Sequence, residues 1–198
     1  MNYAPTVKSQ AFIPNFISTA GKHPVATELA SVVSGVVAIS LLAQVVIPLG
    51  FTPVPITGQT FGVMLVSLLW GSRRGALILT AYLATGALGL PVFADAQSGL
   101  TWGPTLGYLI GMGLSAYAIG FLADRGWSKT FTRAFAACMI GSVLIFSSGL
   151  LVLSFFIPVG LKQLLLAGFI PFIPGDLIKM TLAASIASKA RYSRIRPR

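Results

Sequence analysis

Two charged side chains lie within the apolar stretch Phe169-Ile-Pro-Phe-Ile-Pro-Gly-Asp-Leu-Ile-Lys-Met-Thr-Leu-Ala-Ala184. They are Asp176 and Lys179, three residues apart, so on a helix they lie on one face within reach of each other. Ionisable side chains at membrane depth are costly, face the interior of a helix bundle and usually mark a substrate or ion site. The stretch therefore predicts a buried polar site at the start of a membrane helix.

The composition of the whole chain also indicates a membrane protein. Of its 198 residues, 55% are hydrophobic and 9% are charged, whereas soluble domains carry about 25% charged residues. The net charge is +10, but twelve of the fourteen Lys and Arg lie in or directly beside the N-terminal arm, two joints between helices and the C-terminal tail. That distribution is typical of an orientation signal. We therefore expect contact with a lipid bilayer and no nucleic-acid partner.

Six transmembrane helices are predicted, together with one short partial helix at about 161–169. The six cover about 25–47, 57–70, 75–88, 104–123, 131–157 and 175–190. Residues 1–24 are predicted to form an arm that can lie along the interface, 25–190 the membrane domain, and 191–198 a basic tail. An even number of crossings places both termini on one side, and the basic joints make that side cytoplasmic. The predicted fold class is an all-α, multi-pass integral membrane protein of a prokaryotic cell (inner) membrane.

Three irregular joints are expected on the outer face, at 48–57, 90–103 and 158–175. Pro48, Pro53 and Pro55 exclude a regular helix in the first joint. Its apolar character indicates backbone that is buried or lines a cavity, and we interpret it as a lid. The joints are expected to converge on Asp176 and Lys179.

Small residues recur at helical spacing on two of the predicted helices. The stripe on the first helix is open to two interpretations, internal packing or docking of a partner membrane protein. The stripe on the fourth helix favours internal packing. The two stripes are Ala26, Ala30, Ser34 and Ala38, and Gly107, Gly111 and Ser115.

Six local motifs between residues 44 and 179 stand in the order and spacing of a known family, and the resemblance covers about residues 33–190. They are Gln44-Val-Val-Ile-Pro48, Pro55-Ile-Thr-Gly-Gln-Thr60, Arg74-Gly-Ala76, Tyr82-Leu-Ala-Thr-Gly-Ala-Leu-Gly-Leu-Pro-Val-Phe-Ala94, Gly103-Pro-Thr-Leu-Gly-Tyr-Leu109 and Pro174-Gly-Asp-Leu-Ile-Lys179. The chain resembles the BioY family, the biotin-binding S components of energy-coupling factor (ECF) vitamin transporters. It departs from the family at Leu106, where Gly is usual, which is expected to narrow the pocket wall or alter packing.

The resemblance implies a six-helix S component that binds biotin from outside and topples in the membrane to release it inward. The implied partners are a transmembrane coupling protein and two ATP-binding-cassette ATPases. Some family members occur without a dedicated coupling module, so a solitary biotin carrier stays an alternative. A further alternative is an ion-coupled transporter of another small vitamin-like solute, with Asp176 titrating during transport.

Biotin presents a ureido ring, a thiophane ring and a carboxylate on an aliphatic tail. Asp176 is expected to accept from the ureido N–H groups, and Lys179 to donate to a ligand oxygen while balancing Asp176. Two other interpretations of the pair stay open: a structural ion pair, or a helix N-terminal cap with Lys179 directed outward. The remaining candidate ligand-binding residues are Gln59, Tyr82, Phe93, Gln97, Thr105 and Tyr108. Further candidates in the 90–103 joint are Asp95, Ser98 and Trp102.

Catalytic and metal chemistry find no support in the sequence. The chain has one His and one Cys, no nucleophile–base set and no Walker motif. No Cys/His cluster has metal-ligand spacing. We therefore expect that the protein is not an enzyme and binds no cofactor. Biotin, which the resemblance implies, is expected as the transported ligand.

Overall fold

Helices form most of the regular structure in the computed structural model, which describes residues 11, 13 and 24–195, with the backbone alone at 24 and 191–195. Within 24–195 the α-helices are α1 Pro24–Ala43, α2 Gln59–Ala87, α3 Leu106–Asp124, α4 Phe131–Leu153, α5 Leu161–Gly168 and α6 Ile173–Ile195. Short 3-10 helices occur at Ala94–Ala96, Trp127–Lys129 and Ile170–Phe172. The predicted interfacial arm lies mostly outside the described residues.

Five segments of the described chain are long and apolar enough to cross a membrane. They are Val25–Ala43, Gln59–Ala87, Leu106–Asp124, Phe131–Leu153 and Leu161–Ala190. The protein is therefore a multi-pass, all-helical membrane protein, as its composition predicts.

The helix α2 is folded back on itself at Gly71. Gly71 has φ 80° and ψ −176°, which is not helical and which glycine adopts without strain. The side chains of Gln59 and Tyr82 meet in a hydrogen bond of 2.7 Å, although 23 residues of straight helix would separate them by about 35 Å. The parts of α2 on either side of Gly71 therefore run antiparallel, close to the predicted helices 57–70 and 75–88.

The predicted helix ends need correction on both sides of the Pro-rich joint. Helix α1 ends at Ala43 and not at 47, because Val46–Ile47 forms a two-residue strand, β1. It pairs antiparallel with β2, Ile56–Thr57, so that Val46 lies opposite Thr57. The joint is thus a β-hairpin whose two ends are paired through β1 and β2. Helix α2 starts after it, at Gln59.

Other helix ends also differ by a few residues, and α6 continues to Ile195, past the predicted end at 190 and into the predicted tail. Helix α3 begins at Leu106 instead of 104, and α4 ends at Leu153 instead of 157. Helix α6 begins at Ile173, ahead of the predicted 175, so that Pro174 lies in its first turn. Proline is compatible with that turn because the missing N–H would have no partner within the helix.

The two small-residue stripes have different environments. Gly107 and Gly111 face α4: a Cβ at Gly107 would lie 2.3 Å from the Ser148 carbonyl oxygen, so the predicted internal packing is confirmed for α3. On α1, Ala26, Ala30 and Ser34 are exposed. The inward ridge of α1 is instead formed by Ser31, Gly35, Ile39 and Ala43, all of them buried.

Candidate functional site

A cavity of about 340 Å³ opens between the Pro-rich joint, the 90–103 joint and helices α3, α4 and α6. Its volume falls within the range of about 300–1,000 Å³ that is common for small-molecule sites. Seven of the eight predicted site residues line it: Asp176, Lys179, Gln59, Phe93, Gln97, Thr105 and Tyr108. The structure thus brings together residues that are up to 120 positions apart in the chain (179 against 59).

Asp176 lies at the buried end of the cavity, with 5% of its surface exposed. Its Oδ2 accepts a hydrogen bond of 2.6 Å from the hydroxyl of Ser142 on α4. Among the described residues, Oδ1 receives no hydrogen bond. Helix α6 positions this carboxylate because Asp176 follows Pro174 in the first turn, where the helix dipole favours negative charge.

Lys179 is one helical turn further along α6 and is half-buried. Its Nζ donates to the Thr57 carbonyl oxygen at 2.6 Å and to Thr60 Oγ1 at 3.0 Å. The ammonium thereby fastens α6 to the β2–α2 junction. It forms no direct salt bridge with Asp176 within the described chain. Each of the two charges has its own neutral hydrogen-bond partners.

Gln59 and Tyr82 form a buried hydrogen-bonded chain beside Lys179. Thr57 Oγ1 donates to Gln59 Oε1 at 3.1 Å, and Gln59 Nε2 donates to the Tyr82 hydroxyl at 2.7 Å. That hydroxyl donates in turn to the Val92 carbonyl oxygen at 3.0 Å. Tyr82 is fully buried and does not line the cavity, so it supports the wall from behind instead of forming it.

The 90–103 joint forms another part of the cavity wall. Phe93 lies in it and packs edge-on against Tyr82, with ring centroids 5.4 Å apart. Asp95 and Ala96 have φ 57° and 53°, a left-handed conformation that is unfavourable for alanine. Gln44, beyond the end of α1, holds both sides of this turn: its Nε2 donates to Phe93 O at 3.1 Å, and its Oε1 accepts from Ala96 N at 3.0 Å.

Tyr108 and Phe146 form an aromatic part of the wall between α3 and α4. Their rings are nearly perpendicular, with centroids 6.3 Å apart. The Tyr108 hydroxyl donates to the Gly168 carbonyl oxygen at 2.8 Å, which fixes the C-terminal end of α5. Thr105 and Leu106 also line the cavity, so the residue that departs from the family pattern is part of the wall.

The Pro-rich joint contributes a continuous edge of the cavity. Its lining residues are Pro48, Leu49, Thr52, Pro53, Val54 and Pro55. The sequence-based expectation that this joint lines a cavity is met, whereas the 158–175 joint contributes Phe172 alone. Trp102 is 66% exposed and packs against Phe155 and Phe156 outside the cavity.

Two polar residues near the site were missed by the residue-by-residue reasoning. Ser142 has no local signal, since serine is common in membrane helices and its partner is 34 positions away. Gln44 belongs to one of the motifs, but the motif does not indicate its contacts with the 90–103 joint. Within the described residues, no group of His, Cys, Asp or Glu is arranged to hold a metal ion.

Comparison with known proteins gives matches along most of the chain. Residues 13–196 match the BioY family. The protein named "Biotin transporter BioY" from Thermotoga maritima is 39% identical over 151 residues, which cover 75% of this chain and 86% of that protein. The protein of the same name from Rhizobium etli is 37% identical over 158 residues, covering 75% and 83%.

A solved structure matches the fold as well. It is described as the S component for biotin from an ECF-type ABC transporter, with a TM-score of 0.79 and 28% sequence identity. The match covers 87% of this chain and 94% of the solved one. Together with the family match over residues 13–196, this establishes that the chain belongs to the BioY family.

Proposed function

We propose that this protein is the biotin-binding S component of a biotin uptake transporter. The observation that carries the proposal is the cavity with Asp176 and Lys179 at its buried end. Its relatives are named as biotin transporters and not as enzymes, which supports the same function. Biotin is then the transported ligand, and the site needs no cofactor.

The hydrogen bonds at the buried end suit a ureido ring. Asp176 Oδ2 is held by Ser142. Oδ1 receives no hydrogen bond from the described residues, so it is available to accept from a ligand N–H. Lys179 uses two of its three N–H groups on Thr57 and Thr60, which leaves one for the ligand carbonyl oxygen. Phe93 and Tyr108 supply apolar walls for the thiophane ring and the aliphatic tail.

The topology proposed from the sequence has six crossings, with both termini cytoplasmic. The fold-back of α2 at Gly71 supports this number, since it divides one apolar segment into two antiparallel arms. In this topology the cavity opens to the outside of a prokaryotic inner membrane, and the Pro-rich joint closes over the ligand as a lid. The asymmetric distribution of Lys and Arg supports the orientation.

A separate coupling protein and ATP-binding-cassette ATPases are the proposed partners. The exposed stripe of Ala26, Ala30 and Ser34 on α1 supports a helix–helix contact with the membrane partner, because small residues let helices approach closely. Uptake of biotin by this protein alone in proteoliposomes would instead favour the solitary carrier.

Isothermal titration of the purified protein with biotin tests the proposal. We expect saturable one-site binding without ATP. Asp176→Asn and Lys179→Ala should each weaken binding at least about tenfold, since each removes a charge-assisted hydrogen bond worth about 1.5–3 kcal/mol. Lys162→Ala, which removes a lysine from the exposed face of α5, is the matched control. Absence of biotin binding by the folded protein would overturn the proposal.

A further inference from the structure

Charge is distributed unequally between the two ends of the cavity. Of the described residues that line it, three are charged: Asp95, Asp176 and Lys179. Asp176 and Lys179 lie at the buried end, whereas Asp95 is exposed at the mouth, next to Gln97 and Ser98. Two carboxylates and one ammonium give the lining a formal charge of −1, and the charge at the mouth is negative.

The buried end is complementary to a neutral group that both donates and accepts hydrogen bonds. Asp176 and Lys179 already have the neutral partners Ser142, Thr57 and Thr60, and each keeps one unused position. A ureido group can use both unused positions at once, whereas a ligand carboxylate could use only that of Lys179 and would lie beside the carboxylate of Asp176. The ureido ring therefore belongs at the buried end, and the aliphatic tail runs towards the mouth.

At the mouth, the tail of biotin reaches side chains that do not favour its carboxylate. The described lining residues there offer neutral donors such as Gln97 and Ser98, and the carboxylate of Asp95, but no lysine or arginine. Like charges in proximity disfavour binding. Converting the ligand carboxylate to an amide removes this repulsion, and an amine on the amide adds an attraction to Asp95.

We infer that the cavity takes biotin amides, including amides that carry an amine, at least as well as it takes free biotin. The inference rests on the proposed function, because it concerns the same site and the same orientation of the ligand. It extends the substrate class from the free vitamin to biotin joined through its carboxyl group to an amine, as in a biotinylated lysine side chain.

Competition titrations with three ligands test this on the purified full-length protein. The ligands are biotin, biotinamide and N-biotinyl-ethylenediamine. We expect biotinamide to bind at least as tightly as biotin, and the amine-bearing amide to bind most tightly, by a factor that falls as salt screens Asp95. Tighter binding of biotin than of biotinamide would overturn the inference while leaving the proposed function intact. If none of the three binds, the proposed function fails and the inference fails with it.

Two substitutions at the mouth make the test specific to charge. Gln97→Arg should improve the affinity for biotin relative to biotinamide about tenfold, the effect of one charge-assisted hydrogen bond. Asp95→Asn should improve the affinity for biotin relative to biotinamide by a smaller factor. Asparagine tolerates the left-handed backbone conformation at this position. Gln163→Arg, which adds the same charge on the exposed face of α5, should leave the ratio unchanged. A ratio that does not respond to Gln97→Arg would contradict the inference.

Discussion

Replacing Ser142 by alanine should weaken biotin binding about tenfold while the protein keeps its fold. The Ser142 hydroxyl lies 2.6 Å from Asp176 Oδ2, a distance typical of a hydrogen bond to a carboxylate. Such a bond is worth about 1.5–3 kcal/mol, and 1.4 kcal/mol corresponds to a tenfold change in affinity. Without it, the Asp176 carboxylate can rotate away from the orientation in which Oδ1 meets the ligand.

The measurement is a double-mutant cycle by isothermal titration, combining Ser142→Ala with Asp176→Asn. If Ser142 acts through Asp176, its removal should cost little further affinity once Asp176 has been changed. Ser147→Ala is the matched control, since the Ser147 hydroxyl lies on the exposed face of the same helix and bonds to the Leu144 carbonyl oxygen at 3.2 Å. Thermal unfolding of each variant separates loss of affinity from loss of stability. An equal cost of Ser142→Ala in both backgrounds would refute the reasoning.

Two further substitutions examine the wall of the cavity and the opposite end of the bundle. Gly86→Ala would place a Cβ 2.1 Å from the Phe93 ring and so displace that part of the cavity wall. We expect the affinity for biotin to fall at least about threefold. Gly113→Ala, which has open space around it, is the control and should leave the affinity unchanged. Unchanged affinity in Gly86→Ala would show that Phe93 is not a ligand wall. Glu28→Ala removes the partly exposed ion pair with Arg74. It should lower the unfolding free energy by no more than about 1 kcal/mol and leave the affinity for biotin unchanged. A decrease of several kcal/mol in the unfolding free energy would contradict this.

The sequence indicates residues of the cavity lining most directly where charge interrupts an apolar helix. Asp176 and Lys179 stood out because lipid and packed apolar side chains both disfavour them. Their partners could not be found in this way: the Thr57 contact of Lys179 uses a backbone carbonyl oxygen, and Ser142 resembles any other serine of a membrane helix. The alternative of a direct ion pair is not realised within the described chain, because the fold brings neutral hydrogen-bond partners within reach of each charge.

The orientation of α1 illustrates a second limit. Its small residues recur every four positions on two neighbouring ridges, one through Ala30 and Ser34, the other through Ser31 and Gly35. In a soluble protein the outward ridge would be polar, and the pattern would distinguish the two. In a membrane both faces are apolar. The choice depends on contacts far along the chain, such as Ile78, which leaves no room for a Cβ at Gly35.

The fold-back at Gly71 also has a consequence for the surrounding lipid. The arm from 59 to 70 rises only about 18 Å and the arm from 72 to 87 about 24 Å, whereas the hydrocarbon layer is about 30 Å thick. Hydrophobic mismatch of this kind is relieved by local thinning of the bilayer or by tilting of the protein. Lipids with shorter acyl chains should therefore suit this protein better than longer ones.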